Sequence, residues 1–299
     1  MGIKQNLVEV VKLMNRNMWN LAFFNFDKRV IDAHCQTKDL NYRFMKYYDS
    51  NRWFADPQIL DVTDSTIEVL VEELEYSRIG KGGGRIAHLT IDRFTMQLLD
   101  MKIVLELDTH LSFPFIYRHN NKVLVLPENS ESGMSTIYEF KEEKLIPIKI
   151  ICHSPLTDAT IAEIDGYSYM LSTEIPQANG NVLQIRYWDA NKLEASDVIQ
   201  EIKFPQNHAR NAGEVFSMDR KWYRPAQDCQ KSYGHGTIIQ EISIDKTGMF
   251  QFAQVTSFYP DSFKYYNGLH TMNHYKGIGV IDMLGKRNPI IARIISAIR

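Results

Sequence analysis

The chain has 299 residues, and 44% of them are hydrophobic, so it can bury a sizeable core and global disorder is excluded. Lys and Arg together number 34 and Asp and Glu together number 36, which gives a formal net charge of -2. This balance provides no excess of positive charge for a nucleic-acid backbone or an anionic membrane, so we expect no nucleic-acid partner.

Helical spacing of apolar residues is confined to the two ends of the chain. It predicts a helix over Asn6 to Met14 and, with Pro289 at the first turn, a second helix through IIARIISAIR. The intervening sequence indicates short strands rich in Val, Ile, Tyr and Thr, among them IEVLVEEL, GRIAHLTI, KVLVLPE, STIYEF, YSYMLST, NVLQIRYW, GTIIQEISI and GIGVIDML. No Pro/Ser-rich linker divides them, so we predict one domain over residues 1–299.

A loose repeat gives these strands an order. Five segments place a small or polar residue near Pro, Ala or Gly before an apolar strand: WFADPQIL, HLSFPFIY, PLTDATIAEI, ARNAGEVF and GLHTMNHY. A four-stranded propeller blade takes roughly 40 to 50 residues. The repeat therefore predicts an all-β, five-bladed β-propeller with short terminal helices and blades that start near 54, 111, 156, 209 and 267. A β-sandwich would explain the strands but not the recurring motif.

Carboxylates recur at one position of this repeat. Asp56, Asp158 and Glu214 open the first, third and fourth repeats, and in a propeller the starts of the innermost strands converge at one mouth of the central channel. Three carboxylates in one pocket suit glycoside chemistry as a general base, a general acid and a group that sets the pKa of the acid. Because Asp is also frequent in turns, Asp56 and Asp158 could instead be turn residues at strand starts.

Further polar side chains could bind a sugar at the same mouth. The candidates are Glu73, Arg85, His110, Glu128, Glu131, Arg210, Arg224, Asp228 and His270. Strand alternation sends Glu72 and Glu73 to opposite faces, so at most one of them faces the channel. Arg224 and Asp228 could contact a sugar or could form a buried ion pair that joins two blades. Tyr233 could stack on a sugar ring or simply fill the core.

Other motifs argue against alternative sites. GKGGGR precedes a strand rather than a helix, so it indicates a hairpin turn and not a phosphate loop. The nine histidines include no HExxH pattern, and we expect neither a metal nor a cofactor.

Cys35, Cys152 and Cys229 are far apart and form no CxxC pair, which is typical of reduced thiols. The first residues lack the pattern of a signal peptide and no apolar run is long enough to cross a bilayer, so we expect a cytoplasmic protein without membrane insertion.

The motifs together resemble a known family. FADPQIL, GKGGGRIAHL, HLSFPFIY, LPENSESG, DATIAEIDGYSYML, RPAQDC with YGHGTIIQEI, and GLHTMN are similar to the N-terminal propeller of glucosamine inositolphosphorylceramide transferases, from about Trp19 to Leu284. The chain resembles glycoside hydrolase family 43 more distantly. That second resemblance implies Asp56 as base, Asp158 as pKa modulator and Glu214 as acid. Asn211 and Glu214 depart from the first family's pattern, so Glu214 is either a retained acid or a chance carboxylate.

These resemblances imply a carbohydrate-active propeller, glycoside hydrolase-like or sugar-transferring, in cell-surface glycan biosynthesis. The ligand would be a carbohydrate or a nucleotide-sugar. The alternative is a non-catalytic module that binds the glycan or nucleotide-sugar for a separate glycosyltransferase, because the plant relatives carry such a domain after the propeller.

Overall fold

A computed structural model describes residues 16–79 and 82–298 of the chain. Within them, twenty strands form five four-stranded antiparallel sheets, and these sheets are the blades of a five-bladed β-propeller. The predicted fold class is confirmed. The helix predicted over Asn6 to Met14 lies outside the described residues.

The first two strands along the chain belong to the last blade, and the other four blades follow in order. The described strands begin with β1 (Asn17–Asn25) and β2 (Arg43–Phe44). Blade I contains β3 (Arg52–Val62), β4 (Thr66–Glu75), β5 (Arg85–Asp92) and β6 (Leu98–Leu105). Blade II contains β7 (Ser112–His119), β8 (Lys122–Glu128), β9 (Ser135–Lys141) and β10 (Lys144–Cys152).

The remaining blades complete the ring. Blade III contains β11 (Leu156–Ile164), β12 (Tyr167–Glu174), β13 (Val182–Asp189) and β14 (Glu194–Lys203). Blade IV contains β15 (Phe216–Met218), β16 (Lys221–Asp228), β17 (Gly236–Ile244) and β18 (Phe250–Phe258). Blade V contains β19 (Met272–Tyr275) and β20 (Ile278–Lys286), followed by β1 and β2.

A helix at the C-terminal end, α1 (Pro289–Ile298), follows blade V and begins at the predicted proline. No helix among the described residues combines the length and apolar character needed to span a membrane. Cys35, Cys152 and Cys229 carry free thiols.

Pairing of β1 with β20 closes the ring. The two strands pair over nine residues, from Asn17 opposite Lys286 to Asn25 opposite Ile278. Both faces of β1 are buried: Leu21 belongs to the core shared with blade I, whereas Phe24 belongs to the core shared with blade IV. The apolar run LAFF therefore suits a strand that is covered on both sides by neighbouring blades.

Three innermost strands start with the same backbone irregularity. Asp56, Phe113 and Asp158 have φ angles of 51°, 39° and 42°, and the strand register shifts directly after each of them. A left-handed residue of this kind costs about 1–3 kcal/mol and persists only where its surroundings hold it. The repeated motif of the sequence is thus a repeated bulge, which orients these side chains at the start of β3, β7 and β11.

The closure of the ring gives a first prediction. Leu21 is fully buried on β1, so we expect Leu21→Ala to lower the free energy of unfolding by about 2–5 kcal/mol through lost contacts and a cavity. Urea unfolding followed by tryptophan fluorescence measures the change. Leu99→Ala is the matched control, since Leu99 is 56% exposed on an outer strand and should lose well under about 1 kcal/mol. Equal losses in the two variants would contradict the role assigned to β1.

Candidate functional site

Asp56 links three blades at the start of β3. Its side chain is 4% exposed, and its Oδ2 accepts a hydrogen bond from the backbone N–H of Phe113 in blade II at 3.1 Å. Its own backbone N–H donates to Oδ2 of Asp282 in blade V at 2.9 Å. The bulge therefore positions Asp56 to form hydrogen bonds with both blade II and blade V.

His270 lies between two of these carboxylates. Its Nδ1 is 2.7 Å from Oδ2 of Asp282, and its Nε2 is 3.3 Å from Oδ1 of Asp56. The imidazole stacks on Trp19 with ring centroids 4.1 Å apart. Backbone N–H groups of His270 and Thr271 also donate to Asp282. Contacts of both ring nitrogens and of one ring face thus fix the orientation of the imidazole.

The charges of this group follow from burial and proximity. Burial acts to lower the pKa of His270, but the carboxylates of Asp282 and Asp56 raise it to about 9. The pKa of Asp282 is lowered against the effect of burial by the His270 imidazolium. Burial holds the pKa of Asp56 well above its ordinary range, although His270 acts in the opposite direction. At neutral pH, His270 and Asp282 form an ion pair, and Asp56 is the carboxyl group that is readier to hold a proton.

The same three side chains also offer one ligand atom each within 4.8 Å of one another. In the structure, however, the imidazole contacts both carboxylates itself. Asp56, His270 and Asp282 could hold a metal ion only if the imidazole gave up one of these contacts.

Asp158 is the centre of a second polar group at the start of β11. Arg210 donates to both of its oxygens, at 2.6 and 3.3 Å, and Gln227 donates to Oδ2 at 2.8 Å. The backbone N–H of Asp158 donates to Oε2 of Glu128, which also accepts from Arg210. Burial raises the pKa of Asp158 to about 7 against the opposing effect of Arg210, and Glu128 raises it further.

Tyr233 connects the two groups. The Arg210 guanidinium lies 4.9 Å from its ring centroid, and the ring of His270 meets it edge to face at 5.3 Å. Tyr233 is 43% exposed, whereas Asp56, Asp158 and His270 are each at most 4% exposed. The mouth therefore presents an aromatic face to solvent above buried charged groups.

Glu214 is positioned by a close approach of blades IV and V. A side chain at Gly213 would collide with the backbone oxygen of Met272, so the preceding residue has to be glycine. The backbone N–H of Glu214 donates to Oδ1 of Asn273 at 2.9 Å, and Nδ2 of Asn273 donates to the carbonyl of Pro57 at 2.9 Å. The side-chain amide of Asn273 therefore links the backbone of Glu214 to β3.

The carboxyl group of Glu214 has no hydrogen-bond or ion-pair partner among residues 16–79 and 82–298. Burial raises its pKa to about 7, with Arg118 acting in the opposite direction. Arg118 lies near the end of β7 and donates to carbonyls at the end of β3. Neither Asp56 nor Asp158 bonds to Glu214, and the charge that acts on it comes from the far end of the inner strands.

Glu72 and Glu73 occupy opposite faces of β4, as alternation predicts. Glu73 is fully buried, and its oxygens accept from Arg52 and Arg85 at 2.9 Å each. Glu72 lies 3.3 Å from Nε2 of His110 and raises the pKa of Asp56. Glu72 is therefore the member of the pair that borders the axial group, while Glu73 and Arg85 form an ion pair within blade I.

The loop after β8 brings the blade II candidates together. Oε2 of Glu131 accepts from the backbone N–H of His110 at 2.8 Å, and Oε1 of Glu128 accepts from Ser130 at 3.1 Å. Glu131 thus joins the loop after β8 to the segment before β7, and Glu128 joins the end of β8 to the group around Asp158.

Arg224 and Asp228 do not pair with each other. Arg224 is fully buried and donates to the amide oxygens of Asn211 and Gln240 at 2.7 Å each. Asp228 accepts from the Tyr259 hydroxyl at 2.9 Å. Burial lowers the pKa of Arg224 to about 9. Arg224 is therefore a cation satisfied by neutral oxygens inside blade IV.

Three residues of the site were missed by the sequence analysis: Asp282, Gln227 and Trp19. Asp282 carried a usable signal, because a carboxylate inside the apolar strand GIGVIDML must find a partner when it is buried. Gln227 and Trp19 carried none, since both types are ordinary in strands. The catalytic and substrate-binding roles of the residues named from the sequence stay predictions.

The ion pair of His270 predicts a pH effect on stability. The pKa of His270 is raised in the folded chain, so its stabilisation is present below pH 6.5 and is lost as the pH rises through about 9. Asp282→Asn removes the principal partner and should reduce this loss, which is roughly 3 kcal/mol for a shift of this size. The free energy of unfolding in urea is measured at pH 6 and pH 9.5 for the wild type and the variant. The contributions of other groups that titrate in this range cancel in the difference between the two proteins. A loss of stability that is the same in wild type and variant would contradict the assignment.

Comparisons with known proteins agree with this architecture. Glucosamine inositolphosphorylceramide transferase 1 from Oryza sativa subsp. indica is 26% identical over 204 residues, which cover 65% of this chain and 27% of that protein. The transferase of the same name from Arabidopsis thaliana is 28% identical over 157 residues, 48% of this chain and 20% of that protein. The chain thus matches only about a quarter of the length of these relatives.

Among solved structures, a GH43_1 enzyme from Xanthomonas citri superposes with a TM-score of 0.53 and 12% identity, over 77% of this chain and 87% of that one. At this identity the likeness shows the fold alone. Residues 48–280 match the family described as glucosamine inositolphosphorylceramide transferase 1, N-terminal. This match covers well over half of the chain and confirms the resemblance of the motifs, so the chain belongs to the N-terminal domain family of glucosamine inositolphosphorylceramide transferases.

Proposed function

We propose that the chain is carbohydrate-active and that its axial mouth carries out glycosyl hydrolysis or transfer in the biosynthesis of a cell-surface glycan. The observation that carries the proposal is the Glu214 carboxyl group, which is half-buried, unpaired among the described residues and has a pKa of about 7. A general acid works best when its pKa lies near the working pH. The names of the curated relatives, which specify transfer of an amino sugar, support the substrate class.

In this proposal Glu214 protonates the leaving oxygen of the sugar. In its deprotonated form, which the His270 imidazolium favours, Asp56 accepts the proton of the attacking water or hydroxyl, and His270 and the Phe113 amide orient its carboxylate. An inverting reaction requires the Asp56 and Glu214 carboxyl groups to lie roughly 6.5–9.5 Å apart, because a water must fit between the base and the sugar, whereas roughly 5 Å suits retention. Asp158 contacts Arg210 rather than Glu214, so we propose that it acts by fixing that guanidinium.

Recognition of the sugar falls to the groups around Asp158. Arg210 provides a rigid fork for hydroxyl or phosphate oxygens, Glu128 accepts hydrogen bonds, and the exposed face of Tyr233 supports a sugar ring. We further propose a cytoplasmic location, in keeping with three free thiols, and a glycosyltransferase as the partner.

A second candidate function is a binding module without turnover. It is favoured by the saturation of Asp158, whose two oxygens accept three hydrogen bonds from Arg210 and Gln227. A carboxyl group whose oxygens are both engaged by neighbouring donors is positioned to organise a binding surface rather than to contact the reacting atoms. The propeller would then present a glycan or nucleotide-sugar to a separate glycosyltransferase.

Substitution of the proposed acid and base separates the two functions. We expect Asp56→Asn and Glu214→Gln each to reduce turnover by roughly 10²–10⁴-fold while binding is retained. The wild-type rate should fall as the pH rises through about 7, because Glu214 then loses its proton. A panel of glycans and nucleotide-sugars is assayed for binding by calorimetry and for turnover by product analysis.

Glu163→Gln is the matched control for this experiment, since Glu163 is exposed on an innermost strand and its loss should leave the rate unchanged. Binding without turnover in the wild type would assign the binding module. If the wild type bound no member of the panel, the carbohydrate function would be abandoned.

The recognition role of Arg210 is tested separately. Arg210→Lys keeps the charge but loses the fork, so we expect glycan binding to weaken by about tenfold. Arg186→Lys is the control, because Arg186 lies on β13, away from the axis, and donates to Ser172 and Gln184 within blade III. Thermal unfolding verifies that both variants are folded. Equal weakening by the two changes would argue against a specific contact through Arg210.

A further inference from the structure

A second cavity opens between blades V and I. Its volume is about 550 Å³, within the range of roughly 300–1,000 Å³ typical of small-molecule sites. Its walls come from β1, from the segment that joins β2 to β3, and from residues that precede β19 or follow β20. Neither Asp56, Asp158 nor Glu214 lines it, so it is distinct from the axial mouth.

Aromatic rings form much of the wall. The rings are those of Phe44, Tyr47, Tyr48, Tyr76 and Tyr265. The hydroxyl of Tyr76 donates to the carbonyl of Asn17 at 2.6 Å, and Nδ2 of Asn20 donates to the hydroxyl of Tyr265 at 3.2 Å. These bonds fix the two rings in the wall, and Tyr48, which is 91% exposed, is the ring that is open to a ligand.

The wall is strongly cationic, although the chain as a whole has a net charge of -2. The described lining residues include four cations, Lys46, Arg52, Lys264 and Arg287, and one carboxylate, Asp49. Asp49 is bonded to Arg52 at 2.5 Å. The cavity therefore carries a net charge of +3 and attracts anions.

Three of these cations lack an acidic partner. Lys46, Lys264 and Arg287 form no salt bridge with any residue in the two described ranges, 16–79 and 82–298. Lys264 is half-buried, its Nζ lies 5.1 Å from the ring centroid of Tyr265, and burial lowers its pKa. Charged groups are normally paired when they leave water, so an anion in the cavity would supply the partner that the half-buried Lys264 and Arg287 lack among the described residues.

We propose that this cavity is a binding site for a phosphate-bearing ligand that also carries a ring, namely a sugar phosphate or a nucleotide. The phosphate would pair with Lys264 and with the fork of Arg287. The ring would stack on the exposed ring of Tyr48. The proposal does not depend on the function proposed for the axial mouth, because the two sites share none of the residues named for catalysis or recognition.

Calorimetry with the full chain tests the proposal with uridine diphosphate, glucose 1-phosphate and inorganic pyrophosphate as probes. We expect at least one of the two ring-bearing probes to bind about tenfold or more tightly than pyrophosphate, and its affinity to fall as salt is added. The ring-bearing probe that binds more tightly identifies the source of the phosphate. The double variant Lys264→Met with Arg287→Met should weaken this binding by about tenfold or more.

Matched variants control for charge and for folding. Lys102→Met with Lys221→Met also removes two positive charges, but from exposed ion pairs elsewhere, and should leave affinity unchanged. Tyr48→Ala should weaken the ring-bearing probe but not pyrophosphate, and it should not affect folding because Tyr48 is 91% exposed. If the Lys264 and Arg287 double variant did not fold, the Tyr48 comparison would decide.

Three results would overturn the proposal. One is the absence of saturable binding of either ring-bearing probe below about 1 mM. Another is equal affinity for pyrophosphate, since the ring would then contribute nothing. The last is unchanged affinity in a folded Lys264 and Arg287 double variant.

Discussion

The pairing of β1 with β20 is the interaction on which the arrangement of the polar groups depends. Its nine residue pairs join the N-terminal and C-terminal parts of the described chain in one sheet, and this sheet completes the ring. Trp19 on β1 stacks on His270, and Asp282 on β20 holds the same imidazole. The strands that close the propeller thus also position a polar group at its axis, so closure and site geometry are physically coupled.

Several carboxyl groups lie close together near the axis, where they are shielded from water. Innermost strands from five blades converge there, and β3 and β11 each bring a carboxyl group, Asp56 and Asp158, into a buried position, as does β20 with Asp282. Buried charges are tolerated when they are paired or protonated, and the structure uses both solutions. Asp282 is paired with His270, which lowers its pKa, and Asp158 is paired with Arg210, whereas burial raises the pKa of Asp56, Asp158 and Glu214. The three carboxyl groups that are equivalent by repeat thus share a raised pKa and differ in their partners.

The cavity between blades V and I relies on a different principle. There Lys46, Lys264 and Arg287 form no salt bridge with a described residue, while hydrogen bonds of their hydroxyl groups fix the Tyr76 and Tyr265 rings. At the axis Asp158, His270 and Asp282 have partners of opposite charge within the protein, whereas we propose that a ligand supplies the partner in this cavity. A protein with balanced overall charge can therefore still carry a local anion site, because the field near a pocket is set by its nearest charges.

The sequence by itself determined the five-bladed architecture, because a repeated bulge motif and short apolar strands are local features with a fixed spacing. It also identified Asp56 and Asp158 by their place in that repeat, and strand alternation correctly separated Glu72 from Glu73. Only the tertiary structure decided the partners. The contacts of Asp158 with Arg210, of His270 with Asp282, and of Arg224 with neutral oxygens rather than with Asp228 depend on side-chain direction and on the close approach of different strands and blades. Neither quantity is encoded by the spacing of residues along one strand, which is why the sequence located the axial residues but not the hydrogen bonds and pKa shifts that give each one its chemistry.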